Sequence, residues 1–189
     1  MSFFSGKVVI ITGSSNGIGR GTAALFAKQG AKITITGRNA ESLEITSQLL
    51  GEITDESFNA KLISATVEKF GKLDVLVSFI VRIIRQPESQ VNNAGGGTFG
   101  SFGKSIMDIP IDEFDQMIDL NVKQVIRISQ LAVPHLEKTK GAIVNVSSIA
   151  AYHNLTPMPH YSASKAALDQ ITIQMAGSLI KKGIRVNSV

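Results

Sequence analysis

The stretch KVVIITGSSNGIG, residues 7–19, constrains the fold more than any other part of the chain. KVVIIT is a continuous, mostly β-branched run, the pattern of a strand covered on both faces. It leads through a glycine-bearing turn into GTAALFAKQG, which reads as a helix ending at Gly30. A strand with no polar face needs helices on both sides of its sheet, so an α/β architecture is implied. Within the turn, Gly13 permits the tight bend. Gly17 lets backbone N–H groups approach a pyrophosphate, and Gly19 lets the helix pack closely on the sheet. The helix N-terminus then turns its partial positive charge toward the phosphates.

AKITITG (31–37) reads as a second strand and AESLEITSQLL as a second helix. This β-α-β-α order with short connections predicts a doubly wound parallel sheet. The rhythm then breaks. GEIT alone separates that helix from DESFNAKLISATVEKF, also helical in period, and leaves no room for a third strand. A bare sheet edge at KITITG is the expected consequence. LDVLV (73–77) is again a strand, 112–139 a long helical stretch with Pro134 near its end, GAIVNVSS (141–148) a strand, 161–182 a helix, and IRVNSV (184–189) a strand. The expectation is one domain, 1–189, with about five parallel strands.

Composition narrows the function classes. With 189 residues, 43% of them hydrophobic and 18% charged, the chain has the make-up of a globular protein with a real core. Its net charge of +4 is small and scattered, so nucleic acid is not an expected partner. The lack of cysteine excludes disulfides and thiolate chemistry, and His135, His153 and His160 show no metal-ligand spacing. MSFFSGK lacks the apolar core of a signal peptide, and VLVSFIV is far too short to span a membrane, so an intracellular, cytoplasmic location is expected.

The end of the second strand bears on the choice of nucleotide. An NAD site usually carries Asp or Glu there for the ribose hydroxyls. Here TITGRN puts Gly37 at that position and Arg38 after it. A guanidinium beside the adenosine ribose suits a 2′-phosphate, which favours NADP(H) over NAD(H).

YSASK places Tyr161 and Lys165 four apart on one helical face, Ser148 ends the strand GAIVNVSS, and Asn121 lies in the long helix before it. TGSSNGIG, NNAG, the Asn of DLNV, the second Ser of NVSS and YSASK follow one another in an order that resembles the short-chain dehydrogenase/reductase family, with its Rossmann-like fold, from Gly6 to Val189. The resemblance implies a catalytic set of Asn121, Ser148, Tyr161 and Lys165. Tyr161 would exchange a proton with the substrate oxygen, its phenol pKa lowered by the Lys165 ammonium. Lys165 would also bind the nicotinamide ribose, Ser148 would polarise the carbonyl, and Asn121 would hold a water that links Lys165 to solvent. Tyr152 is read as loop packing. The cofactor would be held by Gly13, Ser14, Ser15, Asn16, Gly17, Ile18, Gly19, Arg38, Glu52, Ile53, Asn93, Ala94 and Gly95, together with Tyr161 and Lys165. The implied function is an NADP(H)-dependent oxidoreductase interconverting an alcohol and a ketone or aldehyde. The implied assembly is a homodimer or homotetramer through helices 112–139 and 161–182.

Three departures from the family pattern stand out. The third strand is missing, although Glu52 and Ile53 keep an acidic-plus-apolar pair after it. The family's C-terminal strand and helix region, which selects the substrate, has no counterpart after RVNSV. Removing fourteen residues, either 77–90 (VSFIVRIIRQPESQ) or 78–91 (SFIVRIIRQPESQV), leaves LDVLVNNAGGG. Val-Ser-Phe can be encoded by GTAAGTTTT, like a splice donor, and Ser-Gln can end in CAG, so these fourteen residues read as a retained in-frame intron. A genuine loop is the rival reading. A non-catalytic truncated member of the family is the alternative function.

Overall fold

The computed structural model describes residues 2–14, 17–37, 47–50, 53–79, 101–153 and 157–189, with backbone alone at 37 and 47–50. Ser15, Asn16, Arg38, Glu52, Asn93, Ala94 and Gly95, and residues 80–91 of the insertion, lie outside them.

Six parallel strands form one sheet in the order β3-β2-β1-β4-β5-β6. They are β1 Val8–Ile11, β2 Lys32–Gly37, β3 Ser47–Leu50, β4 Val75–Ser78, β5 Ala142–Asn145 and β6 Arg185–Ser188. The helices are α1 Gly17–Lys28, α2 Glu56–Phe70, α3 Ile111–Ile118, α4 Gln124–Thr139 and α5 Pro159–Leu179. The doubly wound parallel sheet expected from the strand–helix rhythm is present.

The third strand corrects the sequence reading. Ser47–Leu50, assigned above to the end of a helix, pairs in parallel with Thr34–Gly37 of β2. Helical period in AESLEITSQLL is a weak local preference, whereas the edge of β2 offers a row of unpaired backbone groups. Pairing there satisfies both chains, so β2 is an interior strand and the bare edge predicted for KITITG does not exist.

Alternation along the strands divides the core in two. Ile10, Leu76, Ile143 and Val186 face a cluster with Leu62, Ile128 and Leu136 of α2 and α4, against which Met175 and Leu179 of α5 also pack. Val9, Ile11, Ile33, Ile35 and Val77 face the opposite way, onto Ala23 of α1. Period-two side chains with both faces covered are what the unbroken apolar strands required.

β4 runs one residue beyond LDVLV. Ser78 pairs with Asn145, and the Phe79 N–H donates to Thr12 Oγ1 at 2.9 Å. The first two residues of the insertion thus take strand-end positions that Asn92 and Asn93 would hold without it.

Candidate active site at the carboxyl ends of the strands

The glycine turn is fixed by its neighbours. The Ser14 N–H donates to Thr36 O at 2.9 Å, and Ser14 Oγ accepts from Thr36 N at 3.1 Å, tying the turn to β2. Gly13 has φ +60°, and a Cβ there would collide with the Phe79 carbonyl oxygen. A Cβ on Gly19 would collide with the Gly13 carbonyl, while Gly17, at φ +55°, opens α1 with nothing near its missing side chain. The first turn of α1 carries no acidic residue. A positive helix end with no carboxylate in its first turn, and glycines at 13, 17 and 19, fit the diphosphate of a dinucleotide.

Of the other predicted cofactor contacts, Ile18 is 64% exposed. Ile53 is half-buried against Leu120, Val125 and Leu168. A cavity of about 400 Å³ opens beside it, lined by Thr54, Asp115, Gln116, Met117, Asp119, Leu120 and Lys123.

The catalytic candidates converge from three elements. The predicted long helix is interrupted by a π-helical turn, Asp119–Lys123, which separates α3 from α4 and carries Asn121. Such a turn shifts one carbonyl out of the helical ladder, and π turns concentrate at functional sites. Asn121 is fully buried. Its Nδ2 donates to Ser164 Oγ at 2.9 Å, and Ser164 Oγ donates to the Tyr161 carbonyl at 2.7 Å. Asn121 Oδ1 has no hydrogen-bond partner among the described residues. Asn121 is therefore joined to α5 through Ser164, between Tyr161 and Lys165. Sequence reasoning missed Ser164, although it lies within YSASK, one residue before Lys165.

Ser148 caps the short 3₁₀ turn Ile149–Ala151, its Oγ accepting from Ala150 N at 3.2 Å. Lys165 is 4% exposed. Its ammonium donates to the Val146 carbonyl at 2.8 Å and lies 5.7 Å from the centre of the Tyr161 ring. Ser148, Tyr161 and Lys165 thus meet just beyond β5.

The electrostatics differ from the sequence expectation. Burial pushes the Tyr161 phenol above its ordinary range, and the Ser148 hydroxyl pulls in the opposite direction. In the ligand-free arrangement burial is the larger effect, so the phenol lies above its ordinary range. The Lys165 ammonium is drawn down by burial to about 8, with the Asp169 carboxylate opposing the fall. The basic group predicted to tune Tyr161 is itself tuned by its surroundings. His160, the residue before Tyr161, is fully buried, and burial holds its imidazole below the usual range against the charge of Glu113. Tyr152, read above as packing, is instead 74% exposed.

Among the described residues no helix is long and apolar enough to cross a membrane, and no three His, Asp or Glu side chains are grouped to hold a metal.

Known proteins resemble this chain in sequence and fold. The sequence profile of the short chain dehydrogenases matches residues 7–189. An uncharacterized oxidoreductase of Staphylococcus aureus is 31% identical over 100% of this chain and 78% of its own length. The uncharacterized oxidoreductase YhdF of Bacillus subtilis is 34% identical over 97% of this chain and 62% of its own. Among solved structures, a glucose dehydrogenase of Caenorhabditis elegans in its apo form is 43% identical, with TM-score 0.78 over 98% of this chain and 73% of that one. A short-chain dehydrogenase/reductase of unknown function from the same organism, solved with cofactor, is 41% identical, with TM-score 0.80 over 98% of this chain and 69% of that one. These alignments run through both the glycine turn and the YSASK helix, which weighs against the reading as a non-catalytic piece. With the profile match covering all but its first residues, the chain belongs to the short-chain dehydrogenase family of oxidoreductases.

Proposed function

We propose that this chain is an NADP(H)-dependent oxidoreductase interconverting an alcohol and a ketone or aldehyde. The observation that carries the reading is the meeting of Ser148, Tyr161 and Lys165 at the carboxyl end of the sheet, beside the glycine turn. In parallel α/β sheets ligands bind at that end.

Gly13, Ser14, Gly17 and Gly19, with Ser15 and Asn16, would hold the diphosphate. Asn93, Ala94, Gly95, Glu52 and Ile53 would serve the rest of the adenosine half, and Lys165 the nicotinamide ribose. Arg38, the first residue after β2, would bind a 2′-phosphate, and with Gly37 at the strand end no acidic residue stands there to repel it. When bound, the nicotinamide supplies the site with hydride chemistry.

The protein's own groups handle the proton. Burial keeps the Tyr161 hydroxyl protonated near neutrality, the form that donates to a carbonyl oxygen during reduction. Ser148 would hold and polarise that oxygen. With its pKa about 8, Lys165 is mostly the ammonium at pH 7 and favours charge developing on Tyr161. Asn121, whose Oδ1 lacks a partner among the described residues, would hold a water linking Lys165 to solvent.

Pairing of copies through helices 112–139 and 161–182 belongs to the same reading, and the exposed Leu131 and Ile173 on those helices favour it. Residues 78–91 are held to be an insertion in one catalytic domain.

The test is NADPH oxidation against a panel of ketones, aldehydes and sugars, the last because one similar structure is a glucose dehydrogenase. The reading expects turnover with at least one class and a preference for NADPH over NADH. Absence of turnover across the panel, with NADPH bound, would overturn it.

A further inference from the structure

Asp169 follows Lys165 by one helical turn in α5, the spacing that puts two side chains on one face. It is 8% exposed; the hydroxyl of the exposed Tyr152 is its side-chain hydrogen-bond partner among the described residues, and that contact is too loose to satisfy either carboxylate oxygen. Asp74, the other buried aspartate, is very different. It accepts from Val8 N at 2.9 Å and pairs with Lys7 and Lys72, each at 3.0 Å. A carboxylate kept for structure is satisfied in that way. Asp169 has neither a backbone donor nor a close cation of that kind among the described residues, so its charge is open to the buried ammonium one turn away.

The groups around it show which. On its own helix, Asp169 is the charge that opposes the fall of the Lys165 ammonium among the described residues. From the 3₁₀ turn after β5, Tyr152 hydrogen-bonds the same carboxylate, and that bond together with the carboxylate's charge holds its phenol above the ordinary range. From α3, Glu113 acts on His160. Tyr161 meets Lys165 through its ring, and Val146 contributes a neutral carbonyl.

We propose that Asp169 is a positioning residue whose buried carboxylate keeps the Lys165 ammonium charged, so that it acts on the reaction through Lys165. This rests on the reading that Tyr161 and Lys165 carry the proton exchange. Without the carboxylate, burial alone acts on the ammonium, and less of it is charged near neutrality.

The experiment follows the Lys165 side-chain nitrogen by NMR in ¹⁵N-lysine-labelled, ligand-free protein, with Lys165→Arg to assign the signal. Asp169→Asn removes the charge and keeps the shape. Asp169→Ser removes it with less bulk, should the first variant not fold. Asp169→Glu keeps the charge. The titration midpoint should fall by roughly one pH unit in the Asn or Ser variant and stay near the wild-type value in the Glu variant. Turnover should then lose its high-pH limb earlier, by roughly fivefold at pH 8 for such a fall, with little change at pH 6. A purely structural role would lower stability and leave the midpoint where it is, which overturns the proposal. Turnover that survives Tyr161→Phe would instead remove the reaction that Asp169 is assigned to serve, whatever the midpoint does. The two failures are thereby distinguishable.

Discussion

The two ends of the parallel sheet treat polar groups in opposite ways. At the amino end, Asp74 is closed off by the Val8 N–H, Lys7 and Lys72, and Thr139 Oγ1 donates to the Leu73 carbonyl at 2.7 Å. At the carboxyl end, Ser78 Oγ, Asn145 Oδ1 and Ser147 Oγ find no partner among the described residues, and neither does Asn121 Oδ1 on the neighbouring π turn. Burying polar atoms unpaired is costly, so a fold tolerates them where they serve a ligand. The amino end is built for stability and the carboxyl end for chemistry.

The largest expected effect comes at the open end. Tyr161→Phe should lower turnover by about 10²–10⁴-fold while NADPH binding, followed by fluorescence, stays close to wild type. A loss of both would make the tyrosine a structural residue and weaken the contrast between the ends.

Lys165 and Asp74 both make stability rise with pH, in separate windows, but for Lys165 the rise is the relief of a burial cost. The folded pKa of Lys165, about 8, lies below the ordinary 10.5. Between those values the unfolded chain holds a proton that the folded chain has lost, so stability rises with pH across that window. The full effect is about 3 kcal/mol, from a difference of roughly two and a half pKa units. Urea unfolding at pH 8 and pH 10.5 should show this rise in the ligand-free protein and lose it in Lys165→Met.

Deleting residues 78–91 should place Asn92 and Asn93 where Ser78 and Phe79 now end β4. Stability should increase by only about 0.6 kcal/mol through roughly halving the connection, and the larger gain should be in NADPH binding, which should become tighter. Sequencing the messenger RNA across residues 70–97 tests the intron directly: a transcript that keeps the stretch as its sole form makes it a genuine loop.

The smallest effect on turnover concerns the closed end. Burial pushes the Asp74 carboxyl upward, but the Val8 N–H, Lys72 and Lys7 outweigh it and hold it below the ordinary range. Its contribution is therefore present above pH 3.8 and lost as pH falls through the lower folded value. Asp74→Ala should cost about 1–3 kcal/mol at pH 7, measured by urea unfolding, because Val8 N–H is left unpaired. Turnover per folded molecule should not change.

Much of this was legible in the residues. The apolar strands, the glycine turn and YSASK state their structure locally, through period, chain geometry and helical spacing, and the sheet, α1 and α5 followed. Other features were not legible because they depend on partners distant in the chain. Ser47–Leu50 is a strand because the β2 edge accepts it, despite a helical local pattern. The π turn at Asp119–Lys123 interrupts a segment whose periodicity reads as continuous helix. Ser164 looked like filler inside a motif until its hydroxyl met Asn121, forty-three positions away.

By itself, then, the sequence determined the fold class, the family, which residues to watch, and the order of the elements except at Ser47–Leu50 and the π turn: all follow from local pattern and motif order. Only the tertiary structure decided how those residues are charged. Burial and the packing of α5 against β5 draw Lys165 down, hold Tyr161 up and bring Asp169 into play. A pKa is set by the groups that surround a side chain in space, and spacing along the chain does not reveal them.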